Sequence, residues 1–112
     1  MKKGDVMVMA SRGGKTDELM TIIDVCKTKG VTIIGVTENM ASPLATEADI
    51  VLAMKVTKEC DKYNCQGTTS FAVTNAIFDA LQAAVLEYTG YQKMDFALIH
   101  PGGAVGKRLN KQ

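Results

Sequence analysis

The feature that most constrains this chain is residues 5–19, DVMVMASRGGKTDEL. Val6–Ala10 is an uninterrupted apolar run of strand length, and a strand without alternation is usually buried on both faces, as in a parallel sheet. Ser11, Arg12, Gly13, Gly14, Lys15 and Thr16 follow at once, and Asp17 and Glu18 open a helix with an acidic first turn. The stretch therefore reads as strand, tight glycine turn and helix start.

A helix N-terminus directs unpaired N–H groups and a partial positive charge out of such a turn. Gly13 and Gly14 let the backbone approach an anion closely, while the Ser11 and Thr16 hydroxyls can bond phosphate oxygens. Arg12 and Lys15 add charge. The same residues also fit a plain βα turn in which Thr16 is only the N-cap. A nucleotide P-loop is excluded, because G-x-x-x-x-G-K-[ST] needs a glycine at position 9 and that residue is Met9.

The pattern then repeats. Leu19, Ile22, Ile23 and Cys26 recur at helical spacing over Asp17–Lys29, and Gly30 stands in place as the stop. Residues 31–37, VTIIGVT, form a second strand rich in β-branched residues. Ser42 and Pro43 open a short helix to about Ala48, and residues 50–56 are a third buried strand. A long polar loop leads to the longest helix, from about Thr68 to Tyr88, whose apolar face (Val73, Ile77, Leu81, Ala84, Val85, Tyr88) suits covering the sheet or a partner subunit. The closing FALIHPGGAVGKRL reads as a glycine-rich turn that exposes His100.

Three strand-type runs separated by helices predict an α/β fold, a three-layer parallel sheet with flanking helices, in a single domain over residues 1–112. Ligands of such sheets gather at the carboxyl ends of the strands. Those ends are residues 11–16, 38–42 and 57–70, so the polar loops share one rim. The exposed edges of a three-stranded sheet also predict self-association, as a dimer or tetramer.

With 22% charged residues and a net charge of +1, the chain carries no sign of a polyanion-binding surface, so nucleic acid is not an expected partner. No apolar run approaches the roughly 20 residues of a membrane span, and the N-terminus lacks signal-peptide organisation; the expectation is a cytoplasmic protein without a membrane partner. Cys26 falls on an apolar helix face. Cys60 and Cys65 share a loop but lack zinc-site spacing, so no metal site is expected.

S-R-G-G-K-T, the T-K-E loop ahead of a TTS helix start and above all F-A-L-I-H-P-G-G-A-V-G-K-R-L together resemble the sugar isomerase (SIS) phosphosugar-binding domain, within it the arabinose 5-phosphate isomerase branch. The resemblance implies a flavodoxin-like sheet and places Ser11, Gly13, Gly14 and Thr16 in a first phosphosugar loop and Thr68, Thr69 and Ser70 in a second. It implies catalytic roles for Glu59 as base, His100 in ring opening, at its own or a neighbouring subunit's site, and Glu18, with a sugar phosphate as ligand and no cofactor. Two positions depart from the family's S-x-S-G-E-[ST] pattern, Gly13 for a serine and Lys15 for the glutamate. The resemblance begins partway through the domain, so this chain looks like its C-terminal part; the first strands, their glycine-rich loop and a catalytic lysine are expected upstream of Met1. Without the family, Glu59 reads as a solvated loop carboxylate and Glu18 as a partner of the helix dipole. The alternative function is a non-catalytic phosphosugar-binding or sensing module, and a third reading is a role in assembly through the long helix.

Overall fold

The computed structural model describes residues 1–110. The elements run β1 (Val6–Ala10), α1 (Asp17–Lys29), β2 (Thr32–Thr37), α2 (Pro43–Glu47), β3 (Ile50–Ala53), α3 (Thr69–Thr89), α4 (Lys93–Ile99) and α5 (Gly103–Leu109). The chain divides into two compact units, Met1–Ile77 and Phe78–Gln112.

In the first unit the strands lie in the order β1-β2-β3, and both pairs are parallel, with Val8 opposite Ile34 and Val36 opposite Leu52. Successive side chains of a strand point to opposite faces. Met7 and Met9 accordingly join one cluster, with Ile23, Cys26, Ile33 and Leu44, while Val8 joins the other, with Val36, Leu52, Met54 and Val56. Helices α1 and α2 supply the first cluster; Val73 and Ile77 of α3 pack against the second. Helix, sheet, helix are the three layers anticipated from the sequence, and Cys26 is fully buried as expected.

β1 matches its expected span, whereas β2 and β3 are shorter, and the outer strands less covered, than the sequence suggests. β2 starts at Thr32 rather than 31 because Val31 N–H donates to Cys26 O, completing the turn that Gly30 makes with φ 66°. β3 stops at Ala53. Both outer strands carry exposed apolar residues, Val6 at 57% and Ile50 at 49%, since each has a neighbour on one side only. Ser42 caps α2 as expected, its Oγ accepting from Ala45 N–H. Thr16 occupies the N-cap position of α1, but its side chain makes no cap bond.

α3 is long and apolar enough, by length and composition alone, to cross a membrane, which corrects the expectation that no segment approaches such a span. Its Val73 and Ile77 are nonetheless committed to the sheet cluster. Of the face anticipated from the sequence, Ala84, Val85 and Tyr88 are exposed.

In the second unit the closing segment keeps a turn at residues 100–102, with His100 exposed as anticipated, but the residues on either side of that turn form two helices, α4 and α5. Gln92 and Asp95 cap α4 reciprocally, with Gln92 N–H donating to Asp95 Oδ2 at 2.7 Å. His100 is the C-cap of α4, and its ring stacks on Phe96 with centroids 4.3 Å apart. Gly103 has φ 69°, and a Cβ on Gly106 would collide with the backbone of His100 and Pro101. Gly106 thus permits a close approach of α5 to the end of α4.

Candidate functional site

Because β1, β2 and β3 are parallel, the loops that follow them emerge on one rim. The loop after β1 is knitted to its neighbours by main-chain bonds: Ser11 N–H donates to Val36 O at 3.0 Å, Glu38 N–H to Arg12 O at 3.1 Å and Leu44 N–H to Gly14 O at 2.9 Å. Gly14 has φ 67°, and an added Cβ would run into Ser42 Oγ and Thr37 Oγ1. A side chain is excluded there on both counts. Gly13, by contrast, faces open space. Ser11 Oγ accepts from Gly14 N–H at 3.1 Å and lies 3.0 Å from Thr16 Oγ1, so the two hydroxyls are brought together at the start of α1.

Arg12 does not serve as a free anion-binding charge. Its Nε donates to Glu38 Oε2 at 2.7 Å, Nη1 to Glu59 Oε1 at 2.8 Å and Nη2 to Val56 O at 3.2 Å. One residue from the loop after β1 therefore ties the chain segments that follow β2 and β3. Both carboxylates raise the guanidinium's pKa, Glu38 foremost. Lys15 remains exposed beside the loop.

Glu59 is buried at 3% exposure, not a solvated loop carboxylate. Its Oε2 accepts from Thr68 N–H at 2.9 Å, Ser70 N–H at 3.0 Å and Thr68 Oγ1 at 3.2 Å. Donation from Ser70, then from Thr68, outweighs burial and holds its pKa at about 2. The intervening loop is built to aim it. Glu59 N–H donates to Asn64 Oδ1 at 2.6 Å, and Asn64 itself adopts φ 56°, a left-handed conformation that asparagine tolerates. Asp61 accepts from the N–H groups of Tyr63, Cys65 and Gln66, which fold the loop tip. Cys60 N–H donates to Thr68 Oγ1 at 2.8 Å, fixing that hydroxyl as donor toward Glu59. Thr69 Oγ1 lies 3.4 Å from Cys60 Sγ and pulls that exposed thiol below its ordinary pKa.

The Thr68 and Ser70 donors at the start of α3 are thus occupied by the chain's own carboxylate. The first loop and the start of α3 meet in a cleft of about 260 Å³ whose lining includes Ser11, Arg12, Gly67, Ser70 and Phe71. A second cleft, about 420 Å³, is lined by Arg12, Gly13, Glu38 and Asn39. A third, about 310 Å³, is at the opposite end of β2, where Lys27 pairs with Glu47 and Asp49 Oδ2 accepts from Ile33 N–H. Its charged groups are internally matched.

The rim therefore brings together Ser11, Gly13, Gly14 and Thr16 in one loop and Glu59, Thr68, Thr69 and Ser70 around another. Glu18 lies exposed in the first turn of α1, without a bond into either cleft among the described residues. His100 belongs to the second unit. Sequence reasoning misses Arg12 and Glu38 as site-building residues; the available signal is their placement, a charged residue within two positions of the end of successive strands.

A parallel α/β sheet with its glycine loop and serine–threonine helix start on one rim is the architecture of a SIS domain. The chain belongs to that family, matching it over residues 1–84. It is 42% identical over 107 residues to the arabinose 5-phosphate isomerase KdsD of Pseudomonas aeruginosa, covering 96% of this chain and 33% of that protein. It is 39% identical to the arabinose 5-phosphate isomerase KpsF of Escherichia coli, covering 94% of this chain and 33% of that one. Among solved structures, a Listeria monocytogenes protein with a proposed sugar-phosphate isomerase activity superposes with a TM-score of 0.85 at 45% identity, over 91% of this chain and 53% of that one. A protein of Escherichia coli CFT073 in complex with arabinose 5-phosphate superposes with a TM-score of 0.84 at 29% identity, over 90% and 54% of the respective chains. The chain spans about a third of the length of these curated relatives and about half of the solved chains.

Proposed function

We propose that this chain binds a sugar phosphate at the rim of its sheet and takes part in aldose–ketose isomerisation, interconverting arabinose 5-phosphate and ribulose 5-phosphate or a related pair. The observation that carries this reading is the buried Glu59 carboxylate, aimed by Arg12, Thr68 and Ser70 at the junction of the two loops. The relatives' names and the arabinose 5-phosphate complex of a structural neighbour support the substrate class.

The phosphate is assigned to the first loop, where the Ser11 and Thr16 hydroxyls and the N-terminus of α1 converge. The donors of Thr68 and Ser70 are held by Glu59, so their contribution is to orient that carboxylate. In the isomerisation a base removes the C2 proton of the open aldose as the C1 carbonyl oxygen gains a proton, giving a 1,2-enediol. Return of a proton to C1 and loss of the O2 proton complete the ketose. Glu59 is assigned as the base. With a pKa of about 2 it is ionised throughout the physiological range, the form that can accept a proton. His100 is assigned to ring opening, at its own or a neighbouring protomer's site in a homo-oligomer, and Glu18 to the edge of the phosphate loop.

Titration calorimetry with arabinose 5-phosphate and with unphosphorylated arabinose tests the ligand class, and turnover of Glu59→Gln tests the base. Heat with both sugars alike, or full turnover by the variant, contradicts the corresponding assignment. The second reading, a binding module without turnover, is favoured by the full engagement of Glu59 with the chain's own donors, and it predicts affinity for the phosphate ester with no ketose formed.

A further inference from the structure

We propose that Arg12 is the positioning residue of the rim: by bonding Glu38, Val56 and Glu59 at once it fixes the Glu59 carboxylate against the start of α3, and the isomerase activity depends on that placement.

The two oxygens of Glu59 are held differently. Oε2 has three donors from Thr68 and Ser70, whereas Oε1 has the Arg12 guanidinium, at 2.8 Å. Removing Arg12 leaves Oε1 without that donor on a side chain that is 2% exposed, and a buried carboxylate oxygen without a donor is strongly disfavoured. The carboxylate must then rotate or draw in water, and either moves it from its aim.

Arginine is suited to this task by shape. A guanidinium presents five N–H donors in a rigid plane, and three here are fixed on targets from two different segments. Glu38 holds the plane from the opposite end, through Nε at 2.7 Å. A lysine ammonium is a single point of charge and cannot span Glu38, Val56 O and Glu59 together.

A surface ion pair would be the plain alternative, and such pairs contribute little. This one differs in its location. Arg12 lines both rim clefts, and its partner is the most deeply buried carboxylate of the rim.

The catalytic half of this inference rests on the isomerase reading, so its test has one readout that does not. Thr68 and Ser70 amide resonances are followed by 1H–15N NMR in the full chain, with Glu59→Gln marking the direction they take when the charged acceptor is lost. Arg12→Ala is expected to move both amides in that same direction while Cys26 and Ile33 amides in the sheet core stay in place. Arg12→Lys, which retains charge and bulk, is expected to show a smaller shift of the same sign and serves if the alanine variant does not fold. In turnover of arabinose 5-phosphate, Arg12→Ala is expected to lose about 10²-fold in kcat with KM little changed, as displaced catalytic groups do. Added guanidinium ion is expected to restore part of kcat to Arg12→Ala, and ammonium ion is not. Unmoved Thr68 and Ser70 amides in Arg12→Ala overturn the proposal, as does full kcat in that variant. If the unsubstituted chain forms no ketose, the isomerase reading fails by itself, and the two amide resonances still decide whether Arg12 positions Glu59.

Discussion

Glu59 accepts hydrogen bonds from Thr68 through both its N–H and its Oγ1, at 2.9 and 3.2 Å, so one residue at the threshold of α3 grips the carboxylate from two directions. Ser70 N–H adds a third donor to the same oxygen. The N-terminus of a 21-residue helix is a ready anion site, and here a residue of the chain's own loop fills it. The consequences are measurable in stability, in the backbone of the rim and in ligand affinity.

The pH dependence of folding follows from Glu59. Its carboxyl titrates at about 2 in the folded chain, below the ordinary value of 4.5, because Ser70 and Thr68 donate to the ionised form. A depressed folded-state pKa contributes stability that is complete above about pH 4.5 and is lost as the pH falls toward 2. Urea midpoints of the unsubstituted chain are expected to drop through that window, and those of Glu59→Gln to drop less. Parallel curves for the two proteins would remove Glu59 as the cause.

The two glycines of the first loop are expected to behave differently. Gly14→Ala places a Cβ at φ 67° against Ser42 and Thr37, whereas Gly13→Ala enters open space. Left-handed backbone at a non-glycine residue costs about 1–3 kcal/mol, before the collision is counted. Chemical denaturation is expected to show Gly14→Ala destabilised by at least that much and Gly13→Ala close to the parent. Equal losses would mean that the loop responds to composition and not to this geometry.

Gly106 is expected to control the second unit alone. A side chain there meets the carbonyl of His100 and the backbone of Pro101, so Gly106→Ala must separate α5 from the end of α4. Amide exchange is expected to quicken across α4 and α5 while β2 amides retain their protection. Loss of protection in β2 as well would show that the two units unfold together.

Affinity for a sugar phosphate is expected to reside in the first loop. Ser11→Ala and Thr16→Ala each remove a hydroxyl from a pair 3.0 Å apart, and a hydrogen bond to a charged group contributes about 1.5–3 kcal/mol. Each variant is expected to raise the Kd for arabinose 5-phosphate by about tenfold or more, and the change is read by calorimetry. Unchanged Kd values in both would move the phosphate away from this loop.

Much of the first unit is legible in the sequence because its signals are local. β-branched apolar runs mark the strands, Gly30 ends α1, and Ser42 with Pro43 begins α2. The family resemblance singles out Glu59 but not its burial, since its partners stand 9, 11 and 47 residues away and no local pattern relates them. Arg12 reads as loose charge for the same reason: its carboxylates come from segments that only the parallel sheet brings together. The closing helices are obscured by glycines, which read as turn residues. Gln92 and Asp95, three positions apart ahead of an apolar run, are the easily overlooked sign of a helix start. Edge exposure of Val6 and Ile50 cannot be read from apolar runs, because the sequence does not show how many neighbours a strand has.

The most direct test of the account is turnover in deuterium oxide, with 1H NMR following arabinose 5-phosphate and Glu59→Gln run beside the unsubstituted chain. Enediol chemistry at Glu59 predicts ribulose 5-phosphate that carries solvent deuterium at C1, formed by the unsubstituted chain and not by the variant. Ketose formed equally by both proteins would contradict the assignment of Glu59, and the absence of both ketose and any ligand-induced thermal shift would contradict the sugar-phosphate site itself.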